Sequence, residues 1–446
     1  MMADGAARPA PLAVAPGAAL AGTVRPPGDK SITHRAYLFA LIADGETVVE
    51  GANPGADCRG TLAACAALGL DVRDDEGRVR LVHPGTLRAP AGVLDCGNSG
   101  STMRMLPGVL AGQSFTSTLT GDASLLRRPV ARIVTPLRAM GASIRATDGD
   151  RLPPLTIGGG ALHAIHHRLE VASAQVATCL ELAATFADGT STIDVPGPAR
   201  DHSERMLPAF GIALACEETP GGGRRVRVTG RQRGRGTSVR VPGDPSAAAF
   251  FLAAAAARPG ARVTAQGIAL NPTRTGLLDV LAAMGARVEI ARAETSAGEP
   301  VGDVTVTGPE RLRALDVPAA WVPRLIDEVP AWIIAAAAAD GVSRLTGAAE
   351  LRVKESDRLA ALARGLATLG IAVRERPDGL EVTGGRVRGG SIAAAGDHRI
   401  AMAFAALGTL ADAPVGIDDA SSIATSYPAF AADLAALGGS VQEAAA

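Results

Sequence analysis

Thr368-Leu369-Gly370-Ile371-Ala372-Val373-Arg374, then a polar turn, then Leu380-Glu381-Val382-Thr383, reads as a helix end, a glycine cap and two strands. A glycine just past the last apolar residue closes a helix in the left-handed conformation, and strict alternation after it is the period of a half-buried strand. The same signature recurs along the chain. It stands at Ala67-Leu68-Gly69, Ala139-Met140-Gly141, Ala209-Phe210-Gly211, Ala283-Met284-Gly285 and Ala436-Leu437-Gly438 as well, with successive glycines 72, 70, 74, 85 and 68 residues apart. A period of this size marks a repeat architecture. Between these copies lies a second helix, whose six starts fall near Ser31, Ser101, Ser173, Ser246, Glu328 and Asp397, each with a residue suited to a cap or first turn. Several of these helices end in Asp-Gly before a β-branched strand, as at Asp44-Gly45, Asp188-Gly189 and Asp340-Gly341. The repeat is therefore strand, helix, strand, helix, strand, strand, an α/β unit present in six copies.

Units of this size need neighbours to bury their apolar faces, so three and three in two lobes is the natural grouping. Pro-Gly-Asp occurs at 27–29 and again at 242–244, and these sharp connections are the expected crossings between lobes. On that reading residues 15–28 and 244–446 form one lobe and 29–243 the other, and the strand near 20–25 belongs with the C-terminal half. The Ala- and Pro-rich start, 1–14, is expected to be a disordered leader; it has neither the basic start nor the apolar core of a signal peptide.

Of the 446 residues 47% are hydrophobic and 20% charged, enough for two sizeable cores. A net charge of -1 supplies no general attraction to nucleic acid or an anionic membrane, and 3% aromatic residues leave few platforms for stacking bases. Anion binding has to come from local clusters of Lys and Arg. Five scattered cysteines without a Cys-x-x-Cys pair point to neither a disulfide framework nor a thiolate metal site. The histidines at 163, 166 and 167 lack a matching Glu or Cys and read as surface residues. The longest apolar runs, 247–257 and 331–339, are too short to span a bilayer. A cytoplasmic enzyme with neither nucleotide nor metal cofactor is expected.

The helix starts carry the chemistry. At 351–359, Leu-Arg-Val-Lys-Glu-Ser-Asp-Arg-Leu places Lys354 and Glu355 in a loop and Arg358 on the first turn of a helix beginning near Ser356. Such a helix start favours an anion through its free N–H groups and partial positive charge. Pro27-Gly28-Asp29-Lys30-Ser31 puts Lys30 and Ser31 at another N-terminus, with Arg35 one turn along, in a pattern that is not a P-loop. Gly97-Asn98-Ser99-Gly100 leads into a helix with Arg104 on its early turns, and its glycines let backbone N–H groups approach a ligand. Arg128 precedes Pro129 at a helix entrance, and Ser173-Ala174-Gln175 offers uncharged groups suited to a hydroxylated ring. Asp327 and Glu328 stand before a very apolar helix, one as a cap and the other as a candidate general base. Asp397-His398-Arg399 opens the last short helix with an acid, an imidazole and a cation together.

These motifs, in this order and at this spacing, resemble the enolpyruvyl transferase family over nearly the whole chain, on its branch that acts on shikimate 3-phosphate. The resemblance implies a two-lobed inside-out α/β barrel, three repeats per lobe, with the active site in the cleft between lobes. It implies that phosphoenolpyruvate gives its enolpyruvyl group to the 5-hydroxyl of shikimate 3-phosphate through a tetrahedral intermediate, releasing phosphate, in a monomeric enzyme. Carried over, Lys30, Ser31, Arg35, Ser173, Ala174, Gln175 and Lys354 hold shikimate 3-phosphate. Lys30, Gly100, Arg128, Gln175, Arg358 and Arg399 hold phosphoenolpyruvate. Asp327 takes the proton of the 5-hydroxyl, and Glu355 with Lys30 supplies the proton to the methylene carbon.

Thr425 and Glu350 stand where some members carry Lys and Asn. Gly100 stands where glyphosate-tolerant members often carry Ala, so the resemblance also implies inhibition by glyphosate. The sister branch, which acts on a UDP-linked amino sugar, typically has Lys-Asn in place of Lys30-Ser31 and a reactive cysteine in the first lobe. This chain has no Cys between Cys96 and Cys179.

Overall fold

The structure, a computed structural model, describes residues 11–75 and 77–443. They divide into two compact units, one of residues 27–242 with 295–300, the other of residues up to 26, 243–294 and from 301 onward.

In the first unit the helices Lys30–Ala40, Gly100–Leu110 and Ala174–Phe186 lie inside and touch one another, Gly100–Leu110 packing on both of the others. Outside them are three four-stranded sheets built to one plan. Leu94–Asp95 runs parallel to Thr116–Thr120, across the buried helix that joins them; Thr116–Thr120 pairs antiparallel with Leu152–Gly158, and that with Ser143–Ala146. The order 166–168, 190–195, 223–229, 214–219 repeats the plan, and so does 238–240, 46–50, 78–82, 71–75.

The second unit uses Pro245–Ala256, Val329–Ala338 and His398–Gly408 as its inner helices, again in mutual contact. All residues of the first and third are buried, and nine of the ten in Val329–Ala338. A helix that is apolar all round belongs in a core, and its alanines let neighbouring helices come close. One sheet has the strand order 21–24, 262–269, 299–307, 287–296. In another, Val342–Leu345 pairs with Gly379–Thr383, and isolated parallel bridges at Arg313↔Asp340 and Asp316↔Arg344 stand in for a regular edge strand.

Two opening strands are exchanged. Ala21–Val24, which precedes the first inner helix, lies parallel to Arg262–Ala269 in the second unit, whereas Ser238–Arg240, which precedes the fourth, lies parallel to Glu46–Glu50 in the first. The chain changes unit at each Pro-Gly-Asp. The last residues of the expected disordered leader, 1–14, are structured instead. Leu12–Ala15 is a strand between Val415–Ile417 and Ser440–Glu443, with Leu12 and Val14 buried, and residues 1–10 lie outside the described part. In the order 390–392, 415–417, 12–15, 440–443 this strand takes the place that Leu152–Gly158 takes in its own sheet. The six capping glycines all have positive φ, from 76° at Gly211 to 110° at Gly69, where any side chain would be strained.

Candidate active site

All six inner helices begin within one residue of the expected positions, and three are capped by an aspartate. Asp29 Oδ1 accepts from Ile32 N at 2.8 Å, which fixes the turn carrying Lys30 and Ser31. Lys30 Nζ lies 3.0 Å from Asp57 Oδ2, with 15% of the lysine side chain exposed. Ser31 Oγ accepts from Arg200 at 3.4 Å. Arg35 points inward instead: it is 2% exposed, and donates to Ser203 Oγ, Thr178 Oγ1 and the Ser31 carbonyl at 2.9, 2.9 and 3.0 Å. Burial lowers its pKa to about 10, against the opposing pull of Glu204 and Glu181. One N–H on each terminal nitrogen remains beyond these bonds.

Ser99 caps the next inner helix by accepting from Thr102 N at 3.1 Å, so Gly100 is its first residue. Arg128 is held against this loop, donating to the Asn98 carbonyl at 3.1 Å, Asn98 Oδ1 at 2.7 Å and Ser124 Oγ at 2.9 Å. A β-carbon at Gly100 would stand 2.7 Å from Arg104 NH1 and 3.6 Å from Arg128 NH1, so Gly100 faces both guanidinium groups. Ser173 caps the third helix, on which Ala174 is first and Gln175 second. Gln175 accepts from Arg104 at 3.4 Å and donates to Ser101 Oγ at 3.0 Å, tying the two helix starts together.

The other unit gathers Asp327, Lys354, Glu355, Arg358 and Arg399. Asp327 lies on a single 3₁₀ turn, Ile326–Glu328, and its Oδ1 is 3.5 Å from Lys354 Nζ and 3.6 Å from Arg358 NH1. Arg399 donates to the Asp327 carbonyl at 2.7 Å. The helix Arg358–Thr368 begins two residues later than the expected Ser356, with Asp357 as its cap and Arg358 first. Arg358 is 1% exposed, and donates to both Asp397 oxygens, at 2.8 and 3.2 Å, and to Glu355 Oε2 at 2.6 Å. Burial disfavours its charge, yet Asp397, Glu355 and Asp327 outweigh it and hold the guanidinium above its ordinary pKa. This is no solvated helix start. Asp397, itself buried, caps the last inner helix through Arg399 N at 2.9 Å and accepts from Ser356 Oγ at 3.0 Å.

Neither carboxylate at 327–328 caps its helix by a side-chain bond. Glu328 holds the cap position, but its carboxylate turns inward to Ser246 Oγ and lies 3.8 Å from Arg274 NH2, leaving Asp327 to face the cations. Glu350 forms an ion pair with Lys354 at 3.4 Å, and the Thr425 hydroxyl donates locally to the Ser422 carbonyl at 2.7 Å. Asp57 and Asn98 are partners that sequence reasoning does not assign. Asp57 sits at the start of a helix whose only sequence signal is its closing glycine, and Asn98 reads as part of a glycine turn. Among the described residues no group of three His, Cys, Asp or Glu is placed to hold a metal ion.

A family model described as EPSP synthase (3-phosphoshikimate 1-carboxyvinyltransferase) matches residues 14–434. A protein of Acidithiobacillus ferrooxidans named 3-phosphoshikimate 1-carboxyvinyltransferase is 48% identical over 422 residues, which is 94% of this chain and 96% of that one. One of the same name from Methylococcus capsulatus is 47% identical over 418 residues, covering 93% and 94%. A solved structure of an EPSP synthase from Acinetobacter baumannii superposes with a TM-score of 0.87 at 40% identity, over 97% of this chain and 99% of that one.

Proposed function

The chain belongs to the EPSP synthase (3-phosphoshikimate 1-carboxyvinyltransferase) family, and on that premise we propose how its residues share the reaction. The enzyme transfers the enolpyruvyl group of phosphoenolpyruvate to the 5-hydroxyl of shikimate 3-phosphate, giving 5-enolpyruvylshikimate 3-phosphate and phosphate. Asp327 accepts the proton of the 5-hydroxyl as its oxygen bonds to C2 of phosphoenolpyruvate. Glu355, with Lys30, delivers a proton to the methylene carbon, giving the tetrahedral intermediate. Loss of phosphate and of a methyl proton then restores the double bond.

Lys30, Ser31, Arg35, Ser173, Ala174, Gln175 and Lys354 hold shikimate 3-phosphate in this proposal. Lys30, Gly100, Arg128, Gln175, Arg358 and Arg399 hold phosphoenolpyruvate. Two phosphates and two carboxylates need closely spaced cations and helix N-termini to offset their repulsion, and the cap positions supply both. The observation that carries the assignment is Asp327 itself, 14% exposed, with Lys354 and Arg358 each within 3.6 Å of one oxygen. That is a proton acceptor set among groups fit to bind anions.

For partners, the reading is two small-molecule substrates, no nucleic acid, no membrane and a monomer, working in the cytoplasm. A net charge of -1 offers no field to a polyanion, and no helix among the described residues is long and apolar enough to cross a membrane. The test is phosphate release from phosphoenolpyruvate and shikimate 3-phosphate, each alone and together, with Asp327→Ala beside the wild type. Release with both substrates only, lost in the variant, is expected. Undiminished release from the variant overturns the role of Asp327.

A further inference from the structure

Four fully buried polar side chains form an unbroken line through the first unit. His34 Nδ1 is 2.7 Å from Thr61 Oγ1, Thr61 Oγ1 is 2.5 Å from Thr102 Oγ1, and Thr102 Oγ1 donates to Ser99 Oγ at 2.7 Å. All four residues are 0% exposed. Polar groups sunk this deep cost free energy unless each hydrogen bond is made, and apolar isosteres would pack there without that demand. The ends of the line explain its presence. His34 is one turn into the helix whose start carries Lys30 and Ser31, and Ser99 is the cap that sets Gly100 and faces Arg128 through Asn98. Thr61 stands one turn along from Asp57, the partner of Lys30.

The line has a direction. A hydroxyl has one hydrogen to give, and Thr102 gives its own to Ser99. The Thr61 hydrogen has two acceptors in reach, Thr102 Oγ1 at 2.5 Å and the Asp57 carbonyl at 3.4 Å; the shorter contact takes it, and His34 then donates from Nδ1 to Thr61. The ring is then neutral with hydrogen on Nδ1, and its Nε2 is a buried acceptor without a partner among the described residues. Burial, with Lys30 and Arg35 nearby, keeps the imidazole from taking a second proton.

We propose that His34 is a positioning residue for phosphoenolpyruvate, its Nδ1–H orienting the Ser99 cap through Thr61 and Thr102 and thereby the 97–100 loop and Arg128. The proposal rests on the placement of phosphoenolpyruvate at Gly100 and Arg128. Ser99 receives two donors, Thr102 N and Thr102 Oγ1, so both lone pairs of the cap are fixed and the turn before Gly100 has one orientation. Without the Nδ1–H, Thr61 loses its donor and can turn its own hydrogen away from Thr102, and the constraint on the cap is released.

The experiment measures kcat and both KM values for His34→Leu, His34→Asn, Thr61→Val, Thr102→Val and the double Thr61→Val/Thr102→Val variant, with Arg128→Ala as reference. His34→Leu is expected to raise KM for phosphoenolpyruvate about tenfold and to change that for shikimate 3-phosphate less. His34→Asn, which places an amide N–H near Nδ1, should recover most of the loss. The double valine variant should cost no more than the worse single one, because either break interrupts the same line. That cycle keeps the test available if His34→Leu does not fold. Equal damage in His34→Leu and His34→Asn, additive valine effects, or lower melting temperature with unchanged KM would each overturn the proposal. If Arg128→Ala leaves KM for phosphoenolpyruvate unchanged, the underlying placement fails and the proposal falls with it. If Arg128→Ala raises KM and the His34 variants do not, the proposal fails alone.

Discussion

Arg358 and Asp397 meet inside the second unit in a two-point pair, Nε to Oδ2 at 2.8 Å and NH2 to Oδ1 at 3.2 Å, with side chains 1% and 0% exposed. Burial pushes the Asp397 carboxyl upward. Arg358 beside it, with a smaller pull from His398, more than reverses this, and the group ends below the ordinary aspartate range. A carboxylate lowered by folding contributes stability that is complete above its unfolded pKa and is lost as pH falls through the folded one. The pair should therefore be fully effective at neutral pH and fade below about pH 4. Asp397→Asn removes this partner and leaves Arg358 to Glu355 and Asp327, so in urea unfolding at pH 7 it should cost less than the about 3–5 kcal/mol of a buried charge left with no partner. The gap between variant and wild type should narrow as the titration is carried below about pH 4; a gap that stays constant would show that the charge of Asp397 is not what matters.

Asp327 Oδ1 lies 3.5 and 3.6 Å from Lys354 and Arg358, cations that have other carboxylate neighbours. Asp327→Asn should leave urea stability within about 1 kcal/mol, since loosely paired charges contribute little. As the group that removes the hydroxyl proton, it should lower kcat by about 10²–10⁴-fold. A variant with both substrates bound and kcat within tenfold of wild type would move the base elsewhere.

Gly100 faces two guanidinium groups, and an added methyl meets first the end of the Arg104 side chain, at 2.7 Å, rather than backbone. A flexible neighbour can yield, so Gly100→Ala should fold with nearly wild-type stability. The wild type should be inhibited by glyphosate in competition with phosphoenolpyruvate. In Gly100→Ala the inhibition constant should rise by at least about tenfold, and by more than KM for phosphoenolpyruvate does. Steady-state kinetics with both ligands varied decides this; a wild type uninhibited at millimolar glyphosate would contradict it.

The fold was legible because its signals are local and repeated. A capping glycine, a polar helix start and two alternating segments each leave a mark within a few residues, and six copies reinforce one another. Leu12–Ala15 escaped because four residues in an Ala- and Pro-rich stretch show little alternation, and their partners, Val415–Ile417 and Ser440–Glu443, lie at the far end of the chain. At the site, residues on helix starts could be read as a class, but their partners could not. Nothing local says that Asp57 meets Lys30, that Glu328 turns to Ser246 while Asp327 does not, or that Arg35 lies inward against Thr178 and Ser203. Those choices are made by contacts over tens or hundreds of residues.

Gly108 is where the inner packing and the site meet most directly. A β-carbon there would stand 2.0 Å from the Cys179 carbonyl oxygen, so Gly100–Leu110 and Ala174–Phe186 touch backbone to side-chain position. Backbone cannot yield as Arg104 can, and Gly108→Ala must push the two helices apart. Overpacking of this kind costs about 1–3 kcal/mol. The same helices carry Gly100 and Gln175 at their starts, joined through Arg104 and Ser101. Separation should stretch those links and raise KM for both substrates, alongside the lower urea midpoint. A β-carbon at Gly416 would meet no atom within 4 Å, and Gly416→Ala is the control, expected to stay within about 0.5 kcal/mol with unchanged kinetics. If Gly108→Ala matches that control in both measurements, the close helix contact does not position the site.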